Sequence, residues 1–345
     1  MKVLVLCGDA GIPLYGPSGA SAHLRGVARA FVRRGAQVCV ATPLPSDHRG
    51  TWGTPIAARA VHRPPRTWLR GLRTLGRHRD AQRLYAAATD GFSPDLVWER
   101  HSRWDTALAH PLRILEVNAP VLHEGGKARR STARRVRRSL HRAARVIAVS
   151  GWLARWAITA GCDPARVRHV ANGVEPRALG DRAATRARLG LSGNVLGFLG
   201  SNKPAHGLHR LPAILDALGG SWSALCVGVG PVPAPAHPRL HAVGGVPSAD
   251  VPDLLAAMDV GIAPYAADAP PWFCPLKVLA YRAAGLPVVA PARGDCVPLV
   301  GDAGVAPAGD QPVDWASAVA DSLGRGQRWV RPWDAVIDEA TAGLW

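Results

Sequence analysis

The chain is poor in paired cysteines, in long apolar runs, in acid and above all in lysine. Its six cysteines, Cys7, Cys39, Cys162, Cys226, Cys274 and Cys296, are scattered, with no C-x-x-C pair and no metal-ligand spacing. Neither a disulfide framework nor a structural zinc is expected, and isolated thiols of this kind suit a reduced cytosol. No stretch approaches the roughly 18 apolar residues that would span a bilayer. The N-terminal apolar run stops at Gly8 and Asp9, too short for a signal peptide, and reads as a buried first strand of a cytoplasmic protein. Acids number 25 against 42 Lys and Arg, giving a net charge of +17. No nucleic-acid motif accompanies that charge, so no nucleic-acid partner is expected. The first glycine loop lacks G-x-G-x-x-G, and no acid sits properly after the second strand, which argues against a NAD-dependent enzyme. No Asp-x-Asp pair is suitably placed for a metal, and none is expected.

What is present is a regular alternation. At 345 residues, two domains are the natural expectation. Short apolar runs alternate with helical patterns throughout, the signature of parallel βαβ units and an α/β fold. The first series of strands is expected at Lys2–Leu6, Gln37–Ala41, Asp95–Trp98, Arg113–Val117 and Arg145–Val149, with a glycine-rich loop at Gly8–Ser21 and a helix at Ala22–Arg34. The second series falls at Asn194–Leu199, Ser223–Gly228, Arg239–Val243, Val260–Ala263, Pro287–Ala290 and Gly304–Ala306. Between them, Asn172-Gly173-Val174 marks a turn, and the division is set at residues 178/179. A closing segment, 327–345, carries three Trp and a helical pattern and is expected to pack back on the first domain.

Two of the four lysines occupy telling places. In Gly197–Leu211 a strand ends in Gly200, Lys203-Pro204 makes a turn and Gly207 opens a helix. In Phe273–Ala290 a Cys-Pro-Leu-Lys turn with Pro275, Leu276 and Lys277 starts a helix that stops at Gly285. A helix N-terminus with a cation is an anion site, and the carboxyl edge of a parallel sheet is where ligands bind.

In this order, with the opening loop 12–38, the segment Leu115–Gly126, the segment Arg145–Pro176 and Val227–Pro231, these stretches resemble the family 4 glycosyltransferases over almost the whole chain. The resemblance implies two Rossmann-like domains facing a central cleft, the B-type glycosyltransferase fold. The first domain would bind acceptor, 179–326 would bind a sugar nucleotide, and the terminal helix would cross back. It implies a retaining, metal-independent transfer from a UDP- or GDP-sugar, a co-substrate with no further cofactor. Lys203 and Lys277 would face the leaving diphosphate, where fixed charge is usually the largest catalytic contribution. His206 stands where many members carry a second phosphate cation, and Ser201 where many have Arg. Gly16, Gly19 and Ala20 would let the first loop approach the donor. Asn118 takes the place of a common active-site His and can position a hydroxyl but not act as a base. Glu116 and Glu124 would hold the acceptor. Two Glu seven residues apart, the second gripping the ribose, are common in the family; here they are Trp272 and Ala280. The alternative reading is therefore a degenerate member that binds a ligand or partner without transfer.

The stretch 127–145 has nine Lys/Arg and no acid, with Ala133, Val136, Leu140, Ala144 and Ile147 as an apolar stripe. A second basic stretch covers Arg59–Arg83. Together they suggest peripheral contact with anionic membrane and a lipid-linked or small-molecule acceptor.

Overall fold

The computed structural model describes residues 1–9, 11–16, 18–43, 56–63, 73–102, 110–121, 130–230 and 234–344. The chain divides into two compact units. One comprises Met1–Gly173, Trp272–Cys274 and Trp333–Trp345, and the other Val174–Pro271 and Pro275–Pro332. The chain thus leaves the first unit at Gly173, a few residues before the division set from sequence.

The first unit is built on a parallel sheet of seven strands among the described residues: β1 (Lys2–Cys7), β2 (Gln37–Thr42), β3 (Arg59–His62), β4 (Leu96–Arg100), β5 (Arg113–Val117), β6 (Arg145–Ala148) and β7 (Val167–His169), in the order β3-β2-β1-β4-β5-β6-β7. A parallel sheet covered on both faces needs strands that are apolar throughout. Accordingly β1 buries every residue after Lys2, and β5 and β6 bury every residue. The two strands not anticipated from sequence, β3 and β7, are edge strands reading RAVH and VRH. They are short, polar and half-exposed, so they carry no apolar signal.

Helix α1 (Gly19–Arg33) starts earlier than the composition suggests, because Ser18 caps it by accepting from the Ser21 amide at 3.1 Å. Gly19 and Ala20 therefore belong to its first turn. The other helices of this unit are α2 (Arg73–Thr89), α3 (Arg130–Arg142) and α4 (Gly151–Thr159). On α3, Val136 and Leu140 are buried as the stripe requires, but the helix ends at Arg142, and Ile147 belongs to β6. Burial of the strand, not helical periodicity, explains that apolar position.

The second unit carries α5 (Arg182–Leu189), β8 (Asn194–Leu199), α6 (Leu211–Leu218), β9 (Trp222–Val227), β10 (Leu240–Val243), α7 (Val251–Ala256), β11 (Val260–Ile262), α8 (Leu276–Ala283), β12 (Val288–Val289), α9 (Cys296–Val300), β13 (Gly304–Val305) and α10 (Pro312–Ser322). Its parallel sheet runs β10-β9-β8-β11-β12-β13. Asp259 anchors α5 to the sheet by ion pairs with Arg182 and Arg186 and by accepting the Val195 amide at 2.7 Å.

The terminal helix α11 (Trp333–Thr341) packs on α1 within the first unit. The Trp333 indole lies where a Cβ on Gly26 would collide with it, so only glycine fits there. Arg145 caps the helix by donating to the carbonyls of Ala340 (2.9 Å) and Ala342 (2.7 Å). Arg33 and Arg34 pair with Asp334 at its start, where anions suit the helix dipole.

Candidate functional site

In the second unit the chain runs from β8 outward to β9 and β10, then crosses back to β11 on the other side of β8. Ligands of open parallel sheets bind at such a reversal, outside the carboxyl ends of the strands. Beyond the register pair Gly261↔Gly197 the ladder of β8 and β11 is bridged by the Tyr281 hydroxyl, which accepts from the Leu199 amide (2.7 Å) and donates to the Ile262 carbonyl (3.2 Å). A Cβ on Gly261 would collide with that ring.

Past Leu199 the chain turns at Gly200, whose φ of 138° excludes an ordinary side chain. Lys203 precedes a short turn, Pro204–His206, and is exposed. Gly207 follows with φ 73°, a Cβ there being forbidden by the Pro264 carbonyl, and leads through Leu208–Arg210 into α6. The loop after β8 is thereby locked against the loop after β11.

Lys277 lies in the first turn of α8, directly after Pro275 and Leu276. Its side chain is buried. The ammonium sits 4.0 Å from the Phe198 ring centroid and 5.1 Å from that of Tyr265, and it has no hydrogen-bond partner. Burial lowers its pKa to about 7, since desolvation penalises the charged form. Among the described residues no carboxylate contributes, and Cys226 and Cys296 act weakly in the raising direction. A Cβ on Gly200 would stand 3.5 Å from this ammonium and 3.7 Å from Nδ1 of His206, so the strand end, the lysine and the histidine converge on one spot.

His206 Nδ1 contacts the Ser201 carbonyl at 2.9 Å and the Ser201 hydroxyl at 3.3 Å. The carbonyl is an acceptor only, so the ring proton is assigned to Nδ1. Burial first, then the charges of Lys277 and Lys203, lower its pKa to about 4. His206 is therefore neutral at pH 7 in this state. Ala280 follows Lys277 by one turn on α8 and is half-buried. Trp272 packs against Trp152 with the rings tilted and 5.4 Å between centroids, within the first unit.

At the carboxyl edge of the first sheet, Glu116 is an internal group and not a surface one. It is buried, 2.8 Å from His23 Nε2, and it accepts from Trp98 Nε1 at 3.3 Å. Burial alone would raise its pKa, but His23, nearby Arg100 and the Trp98 bond outweigh that and hold it below the ordinary value. Burial likewise keeps His23 below its usual value against the pull of Glu116. Arg25, itself buried, donates to the carbonyls of Leu14 (2.8 Å) and Gly16 (3.1 Å) and pins the loop before α1. Asn118 lies just past β5 with its amide nitrogen buried and unbonded. Glu124 and Lys127 lie outside the described residues.

Sequence reasoning did not single out Phe198, Tyr265, Tyr281, His23 or Arg100. Only Arg100 left a visible signal, as the second of two charges that end β4 after its apolar run. Among the described residues no three His, Cys, Asp or Glu gather to hold a metal ion, and no helix is long and apolar enough to cross a membrane.

The family model Glycosyltransferase Family 4 matches residues 17–178, and Glycosyl transferases group 1 matches residues 193–325. No curated protein matches in sequence. Among solved structures, Anabaena HepE in complex with UDP and glucose is 17% identical, with 99% of this chain and 95% of that one covered and a TM-score of 0.67. Sucrose-phosphate synthase from Thermosynechococcus elongatus is 15% identical over 98% and 94%, also at 0.67. WaaG, a glycosyltransferase involved in lipopolysaccharide biosynthesis, is 17% identical over 99% and 100%, at 0.65. At these identities the likeness is one of fold. With a family model on each half of the chain and two Rossmann-like parallel sheets of the B-type fold, this protein belongs to the family 4 glycosyltransferases.

Proposed function

We propose that the protein transfers a glycosyl group, with retention and without a metal, from a UDP- or GDP-sugar to a small-molecule or lipid-linked acceptor. The observation that carries this reading is the Lys277 ammonium: a buried cation with no anion, at the strand reversal of the second sheet. A donor diphosphate supplies the missing charge. Glycosidic cleavage leaves a further negative charge on that diphosphate, and a fixed cation in a site of low dielectric stabilises it most as it develops. Lys203 adds a second, exposed cation, and the turn around Gly200 and Ser201 lets the phosphates approach. The diphosphate also favours protonation of His206, which then joins the cations. Asn118 and Glu124 of the first unit are assigned to the acceptor side. The leaving phosphate takes the acceptor's proton, so no protein nucleophile is required. The UDP, UDP–glucose and UDP with glucose complexes of HepE support a nucleotide donor. The basic face of α3 supports peripheral contact with an anionic membrane from the cytoplasmic side.

Calorimetry with UDP and GDP tests the reading: one of them binds, and Lys277→Ala abolishes the heat. No binding of either nucleotide sinks it. Ala280, which offers a methyl where the family carries the ribose-gripping carboxylate, favours the second reading of a binding protein without transfer. Nucleotide binding without release of sugar from any donor supports that second reading.

A further inference from the structure

The first sheet ends in a cation that its own unit leaves unbonded. Arg100 closes β4, and its register partner on β5 is Glu116. Residues in register share a face of the sheet, so guanidinium and carboxylate are neighbours and feel each other's charge. Yet the carboxylate bonds elsewhere, to His23 and Trp98. Nη1 of Arg100 is enclosed and has no hydrogen-bond partner, and Nδ2 of Asn118, two residues past Glu116, is in the same condition.

A buried guanidinium nitrogen in this unit need not be left so. Arg113, fully buried in β5, is bonded to Glu99 at 2.7 Å, the Ser139 carbonyl at 2.9 Å and the Ser139 hydroxyl at 2.7 Å. The contrast singles out Arg100 and Asn118: two enclosed donors at the ends of adjacent strands, with no acceptor supplied among the described residues. Enclosing a charged N–H without an acceptor is costly, and a ligand oxygen removes that cost. The planar guanidinium matches the two oxygens of a carboxylate or phosphate. The donor diphosphate is already assigned to the second unit.

We propose that Arg100, with Asn118 beside it, receives an oxyanion, a carboxylate or phosphate monoester carried by the molecule that accepts the sugar. As a statement about an acceptor it rests on the transferase reading. As a statement about an anion site it stands on unit-one geometry alone. Because Glu116 balances the charge at a distance, the guanidinium selects by hydrogen bonding as well as by charge, so neutral polyols are poor substitutes.

The test uses the full chain with isotope-labelled arginine, the Arg100 side-chain Nε–H signal being the one missing from Arg100→Lys. Glycerol 3-phosphate, D-glycerate and glycerol are titrated in parallel. The signal is expected to shift saturably with at least one of the two anions and not with glycerol, and the responding anion tells phosphate from carboxylate. Arg100→Gln is expected to keep the wild-type melting temperature and to bind that anion on the order of 10- to 100-fold more weakly. An Arg100 signal unmoved by both anions, one moved equally by glycerol, or an Arg100→Gln protein that unfolds overturns the proposal. UDP and GDP, each titrated calorimetrically into the same protein, separate the two readings. No heat from either nucleotide with an anion shift at Arg100 removes the donor and leaves the oxyanion site standing.

Discussion

A buried lysine without a counter-ion is a sacrifice of stability, and its consequences can be read in both directions. The distance between an ordinary lysine pKa of 10.5 and about 7 corresponds to a few kcal/mol of destabilisation of the charged form. Lys277→Met keeps the chain length and removes the charge. It is expected to raise the melting temperature by roughly several degrees while abolishing UDP or GDP binding; calorimetric unfolding and nucleotide titration check both. The sign with pH follows from proton counts. Between about pH 7 and 10.5 the unfolded chain holds a proton on Lys277 that the folded chain has lost. Stability from this group therefore rises with pH across that window and is flat below it. Nucleotide affinity moves oppositely. A diphosphate selects the protonated amine, so binding takes up a proton and weakens above pH 7, by at most about tenfold per pH unit. Calorimetry in buffers of different ionisation heat measures that proton. His206 acts at lower pH: with its pKa lowered to about 4, it destabilises the fold as pH falls from about 6.5 towards 4.

At the scale of elements, the contact of α11 with α1 depends on an absence of side chain. The indole of Trp333 occupies the space a Cβ would need on Gly26, and it also packs against Gly173 and, at 4.7 Å, the His23 ring. Gly26→Ala should gain a little helix propensity, roughly 1 kcal/mol, and lose more to overpacking, about 1–3 kcal/mol or beyond. The expected net is destabilisation, with faster amide exchange confined to Trp333–Thr341. In the double variant with Trp333→Ala the cost of the alanine at 26 should largely disappear, a coupling that urea unfolding of the four proteins measures. Equal costs in both backgrounds would show that the helix pair is not held this way. Helices α1 and α4 follow simpler rules, each started by a serine hydroxyl accepting a backbone amide.

For the whole molecule the dominant quantity is a net charge of +17. Helix α3 contributes six arginines and no acid to it, with Val136 and Leu140 facing inward while Arg134, Arg137 and Arg138 are exposed. Each such arginine near an anionic bilayer is worth roughly 1 kcal/mol, falling off within about 10 Å at moderate salt. The protein is expected to sediment with vesicles rich in phosphatidylglycerol and not with phosphatidylcholine alone. Replacing the three arginines by Glu should release it without changing nucleotide affinity. Retention of that triple variant on anionic vesicles refutes a role for this face.

The sequence by itself determined the class of fold. Strands buried on both faces must be apolar along their length, and helices must alternate with them for the strands to run parallel, so the central strands, the β8 turn and the α8 turn were legible in one dimension. It also marked Lys277, because lysine is so rare here. It did not mark β3 and β7, whose edge positions relax the demand for apolar residues, nor the early start of α1, which depends on a serine's hydrogen bond. Only the tertiary structure decided that Lys277 lies under two aromatic rings without an anion, that His206 is neutral, and that Glu116 is internal, its two oxygens taken by His23 and Trp98. Those facts depend on desolvation and on partners brought together from separate elements, 93 residues apart in the chain for His23 and Glu116, and neither quantity is carried by local pattern.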